Sequence, residues 1–352
     1  MDTVDNQSKN YRQFWEQQER ILLAPYATFA ADAQRAEPGE KCTIRTEFQR
    51  DRDRITHSDA FRRLKNKTQV FLDPVNDHQR TRLTHTLEVT QIARTIARCL
   101  RLNEDLAESI GLGHDLGHTP FGHSGENVLN RLCSTGFKHA EQSVRVAQML
   151  HLNLTKQVID GIANHTGTDM AHTLEGKVIK YADRIAYLNH DIDDAIRVGV
   201  LQLEQLPSSA LRTLGRGHSE RIDTMVKAIL ECSAGKPVVT MRADVEEEMM
   251  KLRSFMFENV YYKVSGNIHN ERAEQVITGL YNYYMEYGIP EHLTAYDAYN
   301  FSTMNAAEKD FANHHERVVV DFIAGMTDAY ATRAFEKISR KTMEPLRVIK
   351  NL

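Results

Sequence analysis

The chain has 352 residues, 26% of them charged, and its 44 basic and 48 acidic side chains give a net charge of -4. That length suffices for one large core, or for a core with an appended subdomain, and the charge argues against a generally basic nucleic-acid binder without excluding a local basic site. The opening (MDTVDNQSKNYRQFWEQQER) is polar and reads without a signal peptide, no apolar run is long enough to span a membrane, and Cys42, Cys99, Cys133 and Cys232 form no CxxC pair, so a cytoplasmic protein with buried or stray thiols is expected.

Only eight prolines interrupt the chain, and none falls between Pro120 and Pro207. Apolar residues recur at helical spacing nearly throughout. Residues 1–50 read as an arm with one helix over 12–23. Segment 50–67 carries Arg50, Arg52, Arg54, Arg62, Arg63, Lys65 and Lys67, interleaved with Asp51, Asp53 and Asp59, which for most of them reads as a solvated helix face. THTLEVTQIARTIARCL places Val89, Ile92, Ile96 and Cys99 on one face, with His85 four residues before Val89. NEDLAESIGLGHDLG places Leu106, Ile110 and Gly113 together, with Asn103 as the candidate N-cap. GKVIKYADRIAYLNHDIDDAIRVG carries Val178, Ala182, Ile185, Ile192 and Ile196, with Asp183 beside that stripe. KPVVTMR, residues 236–242, is the best strand candidate and is short. SSALRTLGRGHSE and CSAGKPVV read as surface connections, and further helices are expected over 244–263, 270–287 and 312–337. The class is all-α, with a helical core over 51–235 and a C-terminal helical subdomain over 236–352 packed on it.

The stretch HDLGHTPFGHSGE, residues 114–126, sets titratable chemistry among helix breakers. His114 lies four residues past Ile110 and so falls on the buried face. Pro120 lacks an N–H and its ring clashes with the carbonyl four residues back, so the helix must stop or kink near Gly117. Gly113 and Gly117 allow close approach of other backbones. His114 and Asp115 would end the helix, with His118 and His123 in the loop. Four donors, His85, His114, Asp115 and Asp183, thus come from three helices that should pack together. Burying them without a partner is costly, and a divalent cation would satisfy all four. Asp183, Tyr187 and Asp191 follow at four-residue spacing and share one face.

A separated His, an adjacent His-Asp pair and a distant Asp resemble the HD-domain phosphohydrolase superfamily. FQRDRDRITHSDAFRRLKNKTQVF, RTRLTHTLEVTQIARTIA, LGHDLGHTPFGHSGE, FKHAEQS, YADRIAYLNHDIDDA and VVVDFIAGMTDAYA resemble the deoxynucleoside triphosphate triphosphohydrolases, and among them the bacterial dGTPase-like proteins. The resemblance implies hydrolysis of dGTP or several dNTPs to deoxynucleoside and tripolyphosphate. It implies a divalent metal (Mn, Mg or Co) on His85, His114, Asp115 and Asp183. It gives His123 the role of general acid, with Glu126 orienting it. His118 and His139 match active-site positions beside the phosphates. Arg82 and Arg184 match phosphate-contacting positions, Tyr187 a stacking position on sugar or base, Asp191 an acceptor for the 3′ hydroxyl, and Gln69 a sugar contact.

Two other readings stay open. One is a different HD-type nucleotide phosphohydrolase. The other is a non-catalytic nucleotide sensor or single-stranded nucleic-acid module using segment 45–67, poorly supported because its aromatics are few (Phe48, Phe61, Phe71). The candidate partners are the dNTP substrate, a nucleotide activator, further copies of the chain in a homo-oligomer and, least supported, single-stranded nucleic acid. The base preference is not legible.

Overall fold

The computed structural model describes residues 10–70, 78–261, 268–290 and 311–349, with side chains of 268–270, 311–314 and 341–349 set aside. Residues 1–9 of the expected arm, Phe71, the end of the expected helix over 244–263, and 291–310 and 350–352 of the expected C-terminal subdomain lie outside the described residues.

The protein is all-α. The helices are α1 (Tyr11–Leu22), α2 (Glu47–Thr56), α3 (Asp59–Arg63), α4 (Arg82–Cys99), α5 (Glu104–Gly113), α6 (Gly122–Leu132), α7 (His139–Met149), α8 (Lys156–Ala163), α9 (Leu174–Arg197), α10 (Ser208–Thr213), α11 (His218–Ser233), α12 (Ala243–Met256), α13 (Ile268–Tyr287), α14 (Phe311–Ala324) and α15 (Asp328–Ile349). Their starts follow from local side-chain chemistry. Asn103 accepts from Leu106 N as expected. Thr46 with Gln49, and Thr81 with Thr84, close capping boxes on α2 and α4.

Two apolar clusters hold the helices. The first gathers residues of α2–α5 and α7–α12, including Val89, Ile92, Ile96, Leu106, Ile110, Val178 and Ile185. The second joins Val128 and Leu129 of α6 to α13, α14 and α15. Helix α12 therefore packs in the first cluster and α6 in the second. No helix among the described residues is long and apolar enough to cross a membrane, and all four cysteines are free thiols.

Several expectations are corrected. Residues 236–242 form no strand. Ser233 Oγ donates to Thr240 O and accepts from Thr240 N, both at 3.0 Å, so the backbone that a sheet ladder needs is taken by one hydroxyl. Val239 and Met241 dock into the first cluster instead. Cys99 and Ile196 are exposed, because each lies in the last turn of its helix, and Leu100 is buried at the end of α4. The segment 208–213, read as a surface connection, forms α10. The helix expected over 312–337 is two, broken at Gly325–Thr327.

That break has work to do. Lys67, fully buried, donates from Nζ to Ala324 O at 2.7 Å and to His118 O, so one ammonium caps the last turn of α14 and the loop after α5. At the start of α15, Asp328 Oδ2 accepts from Thr68 N and Oδ1 from Phe121 N, each at 3.0 Å. Bonds to an ionised acceptor contribute about 1.5–3 kcal/mol each. Asp328→Ala should lower stability by about 3 kcal/mol, seen as a lower urea midpoint at unchanged slope; an unshifted midpoint would count against the tie.

Candidate active site

Helices α4, α5 and α9 pack mutually and bring the four expected donors to one place. His85 Nε2 lies 3.2 Å from Asp183 Oδ1 and 3.9 Å from Asp115 Oδ2, and His114 Nε2 lies 3.7 Å from Asp115 Oδ1. The ligand atoms of His85, His114 and Asp115 all fall within 4.8 Å of one another. His114 Nδ1 donates to Gly111 O at 2.7 Å, which leaves Nε2 as a lone pair, buried and with no protein partner. Burial alone would raise the Asp115 and Asp183 carboxyls, but the imidazoles around them, with Arg82 beside Asp115, hold both well below the usual carboxylate range. An unpartnered, buried imidazole nitrogen beside the buried carboxylate of Asp115, with the half-buried Asp183 facing His85, fits a divalent cation.

His190 and Tyr261 extend this set. His190 Nδ1 lies 2.8 Å from Asp191 Oδ1 and can only donate to it, so in the neutral ring Nε2 is a lone pair. That lone pair is 2.8 Å from His85 Nδ1, which must then carry the proton. His85 Nε2 is left free to face Asp183 and Asp115. Tyr261 donates to the second Asp191 oxygen at 2.6 Å. The chain Tyr261–Asp191–His190–His85 thus fixes the tautomer of a metal-ligand candidate.

The loop after α5 carries the remaining histidines. Helix α5 stops at Gly113, four residues earlier than Gly117, because Leu116 N and His118 N turn back to Gly113 O and Asp115 O. The close approach of another backbone is present at Gly117, whereas Gly113 meets side chains. A Cβ on Gly113 would meet Ile162 Cδ1 at 2.6 Å, and one on Gly117 would meet Ser143 N at 2.2 Å. Gly117 donates to Ser143 Oγ at 2.9 Å, which seats the loop on α7. Phe121, in the left-handed region at φ 63°, makes the corner into α6. His123 is therefore not in the loop but in the first turn of α6, with its side chain 65% exposed.

Glu126, one turn further, organises this end of the site. Its Oε2 accepts from His123 Nδ1 at 2.9 Å, and its Oε1 accepts from His139 N and His139 Nδ1, both at 2.8 Å. Although burial opposes it, His139, with the bonds from His123 and His139, holds the Glu126 carboxyl far down, and Glu126 in turn pulls His139 up against its own burial. His118 is fully buried, stacks on His139 at 4.7 Å between centroids, and is held well down by burial and by Arg82.

The other expected contacts are placed as follows. Arg82 is buried, donates to Asp115 Oδ2 at 2.9 Å and reaches the Gln69 and Thr68 carbonyls. Gln69 is buried with Oε1 unpartnered. Tyr187 accepts from Arg253 Nε at 3.0 Å, and Arg184 is half-buried, 3.8 Å from Met250 Sδ. In the basic segment Arg62 pairs with Asp59 at the surface, but Arg50, Arg52 and Arg54 are half-buried against Glu47, Asp53 and the Leu152 and Asn153 carbonyls, Asp51 is fully buried on Arg35 and Lys67 is buried, so the solvated face expected for most of it is corrected to a largely docked one. The sequence reading missed His165, His190 and Lys67. His190 was legible as a second His-Asp dipeptide, seven residues after Asp183 and so on its face.

Residues 82–188 match the family model described as HD domain, and residues 239–337 that described as phosphohydrolase-associated domain. A deoxyguanosinetriphosphate triphosphohydrolase-like protein of Caldanaerobacter subterraneus subsp. tengcongensis is 50% identical over 338 residues, covering 93% of this chain and 95% of that one. Proteins of the same description from Desulfatibacillum aliphaticivorans and Clostridium perfringens are 45% and 46% identical, over 93% and 91% of this chain and 97% and 95% of theirs.

Removing His190 frees His85 to rotate and to take the other tautomer. His190→Ala should weaken manganese binding to the metal-free protein by about 10- to 100-fold, measured by titration calorimetry. Unchanged affinity would mean that the bond to His85 is incidental.

Proposed function

Because this chain belongs to the deoxyguanosinetriphosphate triphosphohydrolase-like family of HD-domain proteins, we propose that it hydrolyses a deoxynucleoside triphosphate to the deoxynucleoside and tripolyphosphate. One observation supports this most. A buried donor set suited to a cation adjoins an accessible imidazole, His123, backed by a carboxylate at 2.9 Å. A site that must break a bond to a poor alkoxide leaving group needs both.

In this reading His85, His114, Asp115 and Asp183 would hold a manganese, magnesium or cobalt ion. When bound, the ion supplies polarisation of the α-phosphoryl oxygens. The chain's own residues do the rest. His123, with Nδ1 bonded to Glu126, has Nε2 left to carry a proton toward the 5′ oxygen as that bond to phosphorus breaks. Glu126 holds the ring in orientation through its bond to Nδ1. His118 and His139 line the phosphate side with Arg82 and Arg184. Tyr187 and Gln69 take the sugar side. Asp191 already accepts from His190 and Tyr261, and a carboxylate has acceptor sites left for a 3′ hydroxyl.

Incubation with the four dNTPs and GTP, each with magnesium, manganese or cobalt, should yield tripolyphosphate by ion chromatography only when metal is present. Release of monophosphate instead would move the chain to another HD-type phosphohydrolase reaction. His123→Ala should retain metal and substrate but lose about 10²- to 10⁴-fold in kcat, with partial rescue by a substrate carrying a good leaving group at the 5′ position. Glu126→Gln should lose less. An impairment of His123→Ala that is equal on both substrates would remove it from the acid role.

A further inference from the structure

Lys180 has no part in the scheme above, yet it stands on the working face of α9. Lys180, Asp183, Arg184, Tyr187 and Asp191 follow at spacings of three and four within one helix, so they share one side of it. Their order matters. Tyr187 and Asp191, the proposed sugar contacts, lie on the C-terminal side of Asp183. A nucleotide whose α-phosphate meets the ion at Asp183 must then lead its other phosphates the opposite way, toward the first turns of α9. Lys180 is the next cation in that direction, about 6 Å along the axis from Arg184, which is the order of the span from an α- to a γ-phosphorus.

The partners of Lys180 point the same way. Its Nζ donates to Gly167 O and Asp169 O, each at 2.8 Å, and its remaining contact is Met170 Sδ at 3.5 Å. Arg184 likewise meets a sulfur, Met250 Sδ at 3.8 Å. Among the described residues neither cation has a carboxylate at ion-pair distance. Burial and the Arg184 guanidinium push the Lys180 ammonium down, with the Asp169 charge opposing. Like charges one turn apart cost a helix stability, and a thioether is a weak acceptor. The segment that Lys180 pins begins inside the site, because His165 just before it has its ring centroid 5.0 Å from that of His114.

We propose that Lys180 binds the terminal phosphate of the deoxynucleoside triphosphate and so distinguishes it from a diphosphate. The inference rests on the proposed function and adds a specificity residue to it. An ammonium has three donors. Two stay on the Gly167 and Asp169 carbonyls and hold the group in place. The third, now facing a sulfur, turns to a phosphate oxygen, and Met170, 47% exposed, moves aside into solvent.

The test compares Lys180→Gln and Lys180→Arg with the wild type in manganese. The substrate is whichever of the four dNTPs turns over fastest, and the matching deoxynucleoside diphosphate serves as a competitive inhibitor. Lys180→Gln should raise KM for the triphosphate about 10-fold and leave the inhibition constant of the diphosphate unchanged. Lys180→Arg should restore the triphosphate. No weakening, or equal weakening of both ligands, overturns the inference and leaves Lys180 as an anchor of residues 167–170. Thermal melts check that each variant is folded. Should Lys180→Gln fail to fold, acetylation of the wild type by acetic anhydride, read by peptide mass spectrometry, decides. Saturating triphosphate should protect Lys180 and saturating diphosphate should not; equal protection overturns the inference. A wild type that releases no tripolyphosphate from any dNTP overturns the proposed function, and the inference falls with it.

Discussion

The carboxylate of Asp115 is nearly sealed from water, 2% exposed, and stays ionised. Removing such a charge from water costs several kcal/mol unless cations and donors surround it. Arg82 supplies one full charge, and His85, His114 and His118 converge on the same point from α4 and from the loop after α5. Most of the polar architecture serves this one anion. Arg82 is itself held by two backbone carbonyls from 68–69, so the segment before α4 is committed to the site as well.

Close backbone contact is the second requirement. Gly117 lies against the α7 backbone at Gln142 and Ser143, where a methyl group has no room. Ser143 Oγ accepts from Gly117 N and lies 2.7 Å from His114 O, so one hydroxyl ties the turn after α5 to the helix that delivers His139. The histidines of the two helices are thereby set at fixed separation by backbone, not by long side chains. Rigid spacing of this kind holds reacting groups at set distances from one another.

Much of this was legible in the sequence. Helical periodicity gave the class and the core residues of α4, α5 and α9. The breakers around Pro120 gave the turn, and the pairing of His123 with Glu126 came from the family resemblance. What was not legible lies in contacts between distant segments. His165 stands alone after an apolar helix with no motif spacing, and only the packing of α8 against α5 brings it beside His114. Lys67 read as one more cation of a basic face, and nothing local says that it meets Ala324. The strand expected at 236–242 failed because β-branched composition is a weak guide when a neighbouring hydroxyl satisfies the backbone. His123 was placed in the loop because glycine and proline mark the break but not the residue at which the next helix begins.

Asp328 has a bearing on how the site comes into being. The four candidate ligands lie between residues 85 and 183, whereas Phe121 N and Thr68 N are fastened by a carboxylate 207 and 260 residues away in sequence. During synthesis a cation site can assemble while the last third of the chain is still unmade, but the corner that aims His123 is fastened only after residue 328 has emerged and α15 has begun to form. Closing so long a loop is slow relative to local helix packing. The cluster between residues 85 and 183 can therefore gather before the corner that leads to His123 is fastened.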